Sequence, residues 1–459
     1  MASPLPNIQH VILLMFENRS FDNVLGAFYP SSPDGGGVPG NWSNPWAFHP
    51  PVAPWQGPAG GATQNIPYPD PQESNVHMAD QINTTPPMMG FVNDYETVEN
   101  AKPPDIMQYF VAQNVPVTQA LASTYAVSDQ YFASGPVQTW PNRLFSLCGT
   151  PCFDAKTKTA YVNNHNYPDY PFIIGQLDQL SIFEQLDQAG HSWKIYYDDE
   201  VPVAAVIRYV NDHWDHIWDG GNVWPFESHP DIFHGTFFDD VAKGSLPAFS
   251  LIEPRYQMLS FRGEIAPNSN HPGDSLPVGK SGIPINVSCG EQMLAKVFQA
   301  LAANPALFAT TLLVVTYDEH GGLFDHVTPP TATSPFLPGT VTGFDYSCYG
   351  VRVPALFINP FVKPGIFRPP STSPPFDHTS LLATLKAQFS LSGSLSPRVD
   401  SAPTLAGLIN ATQPGIKTPT IPIPDCNWDS STLQRGHAHP MIQTALLNAA
   451  RRKIRGSSE

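Results

Sequence analysis

Val11-Ile-Leu-Leu-Met-Phe-Glu-Asn-Arg-Ser-Phe-Asp22 carries six apolar residues straight into a cluster of oxygen and nitrogen donors. The run is far shorter than the roughly 20 residues that a membrane-spanning helix needs. Its unbroken apolar character fits a strand buried on both faces of a parallel-type sheet. Ligands of open parallel sheets bind at the carboxyl edge. Glu17 and Asn18 therefore stand where a carboxylate and an amide can meet a cation and a phosphoryl group. A plainer reading competes on this stretch alone: a strand followed by a turn in which Asn18 and Ser20 serve only the backbone.

A second stretch tilts the balance. Leu312-Leu-Val-Val-Thr-Tyr317 reads as another fully buried strand, and it too ends in acids, Asp318-Glu319-His320-Gly321-Gly322. Two such strands lying parallel deliver their carboxylates to one spot, where adjacent acids are costly unless a cation or a basic group faces them. Gly321 and Gly322 permit tight backbone geometry beside them, and Asp325-His326 follows within reach.

Between and beyond these strands the chain alternates helix and strand. Ile182 to Gly190 reads as a helix closed by glycine, and Ser192 to Tyr197 as the strand after it. Ala248 to Ile252 and Ala355 to Ile358 are further short strands, and Val127 to Phe132 reads as another. Glu291 to Ala303 is an amphipathic helix stopped at Asn304-Pro305. Asp377-His-Thr-Ser380 has the form of an N-cap before a helix at Leu381 to Phe389, with His378 a neighbour of the cap. Pro141 confines Trp140 to extended geometry and so presents Thr139 on a fixed turn. The competing reading is a simple Pro-Asn turn leading into a helix at Leu144 to Leu147.

Residues 29 to 104 are rich in Pro, Gly, Asn and Trp with little periodicity, which marks a lid-like excursion containing His77. The expected organisation is a catalytic domain over residues 1–390, followed at 391–459 by a Pro-rich wrap and a terminal helix at Pro440 to Arg455 belonging to the same unit.

Composition excludes several classes. A net charge of -16 argues against a nucleic-acid binder, which needs a basic footprint. Phosphate chemistry is not excluded, since a cation inverts the local field. No transmembrane segment and no signal peptide are read in this chain, which leaves a cytoplasmic protein or the mature form of a secreted or periplasmic one. Of five cysteines, Cys148 and Cys152 are spaced for a local disulfide, Cys289, Cys348 and Cys426 are scattered, and the odd count leaves at least one outside any internal pair.

Four motifs taken together resemble one family: Glu17-Asn-Arg-Ser-Phe-Asp22, Thr139-x-Pro-Asn-Arg143, Asp318-Glu-x-x-Gly-x-x-Asp-His-Val327 and Gly350-x-Arg-Val-Pro-x-x-x-x-x-Pro360. They resemble the signatures of the non-specific phospholipase C family, which includes acid phosphatases and belongs to the alkaline phosphatase superfamily. The resemblance implies an α/β protein, a three-layer α/β/α sandwich like alkaline phosphatase, with a mainly parallel central sheet and long loop insertions. It implies a divalent metal ion, Ca²⁺, Mg²⁺ or Mn²⁺ by its oxygen-rich ligand set, held by Glu17, Asn18, Asp318 and Glu319. It implies Thr139 as nucleophile, with His77 and His271 contacting the phosphate or protonating the leaving oxygen. Asn18, Arg143, Asp274 and His326 complete the expected phosphate-binding set.

The chain departs from the family at Trp140, where an Asp is usual, and at Gly273, where a second His is often found. An insertion, Ser275 to Cys289, follows that motif. The implied substrate is a phospholipid or a small phosphoester, with transient contact at a membrane surface. Phospholipase C activity, broad acid phosphatase activity and an inactive phosphate- or lipid-binding relative are the three readings. Trp42, Trp46, Phe48 and Trp55 either seat acyl chains or form loop core.

Overall fold

The apolar runs of the sequence form the middle of one sheet. The computed structural model describes residues 3–32, 35–57, 64–162, 175–198, 202–213, 223–225, 236–256, 266–273, 284–409 and 414–428. Among them the sheet has eight strands: β1 (His10–Phe16), β2 (Ala126–Ser128), β3 (Trp193–Tyr197), β4 (Val223–Pro225), β5 (Phe249–Glu253), β6 (Thr311–Tyr317), β7 (Ala355–Ile358) and β8 (Gly365–Ile366). Their spatial order is β4-β3-β5-β1-β6-β7-β2-β8. Only β7 runs against its neighbours; the other pairings are parallel.

β1 lies centrally, parallel to both β5 and β6, with Phe16 opposite Tyr317. Its residues Val11 to Phe16 are all buried. Complete burial of each such side chain contributes about 1.5–3 kcal/mol against the entropy of ordering the chain. That register puts the ends of the two apolar runs side by side.

Helices pack in two groups. Pro116–Thr124, Phe237–Lys243 and Pro305–Ala309 gather around Val287–Ala303; Thr139–Cys148 packs with Ile182–Gln188 and His378–Gln388. The second group contains a full capping box, in which the Asp377 side chain receives the Thr379 N–H and the Ser380 hydroxyl receives the Asp377 N–H. The amphipathic helix begins at Val287, four residues earlier than its apolar spacing suggests, because the Asn286 side chain caps it by accepting from Ser288 N–H.

The described residues of the aperiodic segment form several short elements. Asn44–Trp46 pairs with His49–Val52 as a hairpin, and Asn75–Ile82 and Phe91–Tyr95 are helices. They share a second core in which Met78, Phe91, Ile106, Leu323 and Phe324 are buried. Elements this short give little periodic signal. Trp42, Trp46 and Trp55 pack against that core, whereas Phe48 stands fully exposed at the hairpin tip.

The disulfide joins Cys289 to Cys426 and fastens the Pro-rich tail to the amphipathic helix; Cys148 and Cys152 are buried thiols. Sequence proximity drew attention to the wrong pair, because the bonded cysteines stand 137 residues apart. Asp274, most of the insertion and the expected helix at 440–455 lie outside the described residues.

Candidate active site

Past Phe16 and Tyr317, which lie side by side, the chain leaves β1 into Glu17 and β6 into Asp318 and Glu319. Asp318 N–H donates to Phe16 O at 3.2 Å as the last rung, while Glu17 N–H turns away to Ser269 O at 2.7 Å. Asn18 sits in the left-handed region at φ 52°, which Asn tolerates better than most residues, and its N–H donates to Asp318 Oδ1 at 3.2 Å. Gly321, at φ 64°, passes so close that a Cβ there would lie 2.4 Å from Asn18 O. That glycine is required by contact as well as by conformation.

Thr139 is delivered by a helix and not by an extended turn. The helix Thr139–Cys148 starts at it, with Gln138 as N-cap; Pro141 fits because the first helical turn needs no partner for its missing N–H. The Asn142 amide clamps the preceding loop through Val137 O at 2.7 Å and Gly135 N at 3.1 Å. Arg143, one turn after Thr139, locks the helix to the strand ends. Its Nε donates to Asp318 Oδ2 at 3.0 Å, and its Nη2 donates to Met15 O and Phe16 O at 3.0 and 3.1 Å. The guanidinium is thus committed to the scaffold. The Thr139 hydroxyl donates to Asn18 Oδ1 at 3.2 Å, at a helix N-terminus whose dipole favours anions.

His271 closes the other side. Its Nε2 lies 2.9 Å from Asn18 Nδ2, and its Nδ1 faces Pro272 O and, at 3.6 Å, Asp70. Glu73 completes the group, with Oε1 accepting from Asn18 Nδ2 at 2.8 Å and lying 3.6 Å from His271 Nε2. Neither Asp70 nor Glu73 was marked by the sequence. They are two acids in a proline-rich stretch, with no spacing that ties them to Asn18.

Burial raises the carboxyl of Glu17 to about 7, against His271, Arg143 and Ser269, with Asp318 adding to the rise. Asp318 is raised by burial, with Arg143 opposing. Glu319 is held well above the carboxylate range by burial and then by the Glu73 and Asp318 charges. Burial opposes charge on His271, yet Asp70, Glu73 and Glu17 bring its pKa up to about 9.

The acids fit a cation. Glu319 Oε2 accepts from Gly321 N–H at 2.7 Å, but its Oε1 is buried with no hydrogen-bond partner, a costly arrangement that a divalent cation bound at that oxygen would relieve. The donors are carboxylates and an amide oxygen, as Ca²⁺, Mg²⁺ or Mn²⁺ prefer.

Two other expected residues lie elsewhere. His77 Nδ1 contacts Asp94 Oδ1 at 2.7 Å; Asp94 Oδ2 receives Gln81 Nε2 at 2.7 Å, and Gln81 Oε1 meets His320 Nε2 at 2.8 Å. His77 is the outer end of a chain leading to Glu319, whose Oε2 is 3.5 Å from His320 Nδ1. His326 is held at both nitrogens, by Asp22 Oδ2 at 2.6 Å and Ser32 O at 3.0 Å, in the buried Asp22–Asp325–Arg352 network. That network ties three of the motifs together. His378, placed beside the cap, also meets Asp318 O through Nε2 at 2.7 Å; burial keeps it neutral, with its pKa lowered to about 4.

A hydroxyl at a helix N-terminus, an acid-rich strand edge and a histidine on one mixed α/β sheet accord with a phosphoric ester hydrolase. The chain belongs to the phosphoesterase family, whose model matches residues 8–392. It is similar to non-specific phospholipase C3 of Arabidopsis thaliana, 32% identical over 444 residues that span 92% of this chain and 76% of that protein. It is also similar to phospholipase C A of Mycobacterium tuberculosis, 29% identical over 84% of this chain and 75% of that one. A solved structure of a protein in the alkaline phosphatase superfamily from Vibrio parahaemolyticus matches 63% of this chain and 64% of its own, at 14% identity and TM-score 0.34.

Proposed function

We propose that the protein is a phospholipase C that cleaves glycerophospholipids into diacylglycerol and a phosphorylated head group by way of a phosphothreonine. The observation that carries the mechanism is the Thr139 hydroxyl, held at a helix N-terminus against Asn18, whose own backbone rests on Asp318. The lipid substrate rests on the similarity to phospholipases C.

In this reading Thr139 Oγ1 attacks phosphorus as its proton passes to water, and the P–O bond to diacylglycerol breaks. A protonated His271 supplies the proton that the departing oxygen needs; Asp70 and Glu73 favour that protonated form. Water then cleaves the phosphothreonine, with His271 acting as base, and releases the phosphorylated head group. Glu17, Asn18, Asp318 and Glu319 would hold a divalent cation, which lowers the pKa of the attacking hydroxyl and stabilises charge on the phosphoryl oxygens. Arg143 fixes Asp318 and so acts on the phosphate only through it. Phe48 and Val76, both exposed on the 29–104 excursion, are available for contact with a lipid surface.

The test compares phosphocholine release from phosphatidylcholine with phosphate release from p-nitrophenyl phosphate, for the native protein and for Thr139→Ala. Phosphocholine release should fall at least about 100-fold in the variant, as for loss of a covalent nucleophile. Unchanged turnover would disprove the role of Thr139. Phosphate release without any phosphocholine would replace the lipase reading with a phosphomonoesterase.

A further inference from the structure

A side-chain amide has two ends of the same shape, one that accepts and one that donates, so its neighbours decide which way it points. Asn18 has three such neighbours in the site. Thr139 is a hydroxyl, able to donate or accept, and does not choose. The Nε2 of His271, 2.9 Å from Nδ2, accepts from the amide only while it carries no proton; protonated, it is a donor facing a donor, so it does not hold the amide this way. Glu73 is different. Ionised, its carboxylate only accepts, and its Oε1 lies 2.8 Å from the amide. The end of Asn18 facing Glu73 is therefore the NH₂ group, and Oδ1 is left facing Thr139.

The rest of Asn18 is already immobile. The residue is completely buried, its backbone N–H is tied to Asp318, and Gly321 packs against its carbonyl and Cβ. A half-turn of the amide is the freedom that remains, and its two outcomes are chemically opposite. With Oδ1 toward Thr139, the hydroxyl proton is engaged, the lone pairs of Oγ1 are left for phosphorus, and a cation meets an oxygen. With Nδ2 there instead, the amide donates into a lone pair of the nucleophile and presents N–H groups to any cation.

From this we infer that Glu73 is a positioning residue: by accepting from Asn18 Nδ2 it fixes the amide with its oxygen toward Thr139 and the cation site. The inference rests on the phosphothreonine reading above and adds to it a residue that is neither the nucleophile nor one of the expected ligands, and that acts through Asn18. Glu73 reaches Asn18 from the loop before the helix Asn75–Ile82, 55 residues along the chain. The excursion thus supplies an orienting group to the strand edge as well as covering it.

Glu73→Gln keeps the shape but puts a second amide, able to accept or donate, opposite Asn18. Loss of such an orienting partner typically costs 10–100-fold in metal affinity or activity. The variant should therefore lose about 10-fold or more in kcat with KM within about threefold, and bind Mn²⁺ about 10-fold more weakly. Mn²⁺ binding is read by the paramagnetic resonance of the free ion, independently of turnover.

Asn18→Asp combined with Glu73→Gln exchanges donor and acceptor across the same contact. It preserves the net charge, lets the new amide at 73 donate, and returns an oxygen to Thr139. The pair should recover at least about threefold in kcat over Glu73→Gln.

Turnover and Mn²⁺ binding of Glu73→Gln within about twofold of the native protein would overturn the assignment of Glu73. A loss that the exchanged pair does not recover, including a loss caused by misfolding of the single variant, would overturn it too, since Glu73 would then act through its charge or its packing. Full turnover by Thr139→Ala would instead remove the phosphothreonine reading, and the inference with it.

Discussion

Arg352 is completely buried, and four groups depend on it. Its Nη2 donates to Asp22 Oδ1 and its Nε to Asp325 Oδ1, each at 3.0 Å; its Nη1 donates to Asp129 O at 3.1 Å and Gly36 O at 3.2 Å. Phe21 lies 4.5 Å from the guanidinium. Arg352→Met preserves much of the stem and removes the charge. Asp22 keeps His326, and Asp325 keeps the Asp22 and Val327 N–H groups, so each carboxylate loses one ionic partner without being stripped of all its hydrogen bonds. Breaking a buried pair from one side costs about 3–5 kcal/mol. Equilibrium urea unfolding should show that loss as a lower midpoint at unchanged slope.

The pH dependence supplies a second mark. Burial raises the Asp325 carboxyl to about 6 even with Arg352 opposing the rise. Without Arg352 its folded-state pKa moves higher still. The folded state then binds the proton that the unfolded chain releases, and stability falls as pH rises. The deficit of the variant should therefore be largest above pH about 6 and shrink toward pH about 4. A loss below about 1 kcal/mol, or one that is the same from pH about 5 to 8, would refute the claim that Arg352 compensates these buried charges.

Gly321→Ala places a methyl 2.4 Å from Asn18 O at a left-handed position, and should reduce turnover at least as steeply as it reduces stability; a variant with native kinetics would show that Asn18 tolerates displacement. In cation-free protein, the Glu17 carboxyl has its pKa raised from 4.5 to about 7, so its ionisation penalises the folded state. Stability should fall by about 3 kcal/mol between pH 4.5 and 7. Thermal unfolding in chelator and in millimolar Ca²⁺, Mg²⁺ or Mn²⁺ should give a flatter pH profile with at least one of the cations. Superimposable profiles for all three would argue against a cation at Glu17.

The acids at the ends of β1 and β6 could be read from the sequence for a physical reason. A strand buried on both faces needs an unbroken apolar run, and polar residues that follow one are conspicuous. The Thr139-to-Arg143 spacing was legible too, although its backbone was read as an extended turn: a proline compatible with the first turn of a helix looks the same as one that prevents it. His77 and Glu73 show where such reading stops. Both lie in one aperiodic segment, four residues apart, and the chain path places Glu73 against Asn18 while His77 turns to Asp94.

Local pattern thus determined the buried strands, their acidic ends and the family to which the four motifs point. It could do so because burial and backbone hydrogen bonding impose periods and boundaries on neighbouring residues. Tertiary structure alone decided that Cys289 pairs with Cys426, that His326 is bound into the Arg352 network, and that Glu73 meets the amide of Asn18. Those contacts join residues far apart in the chain, where no period relates one partner to the other and only the folded path brings them within a hydrogen bond.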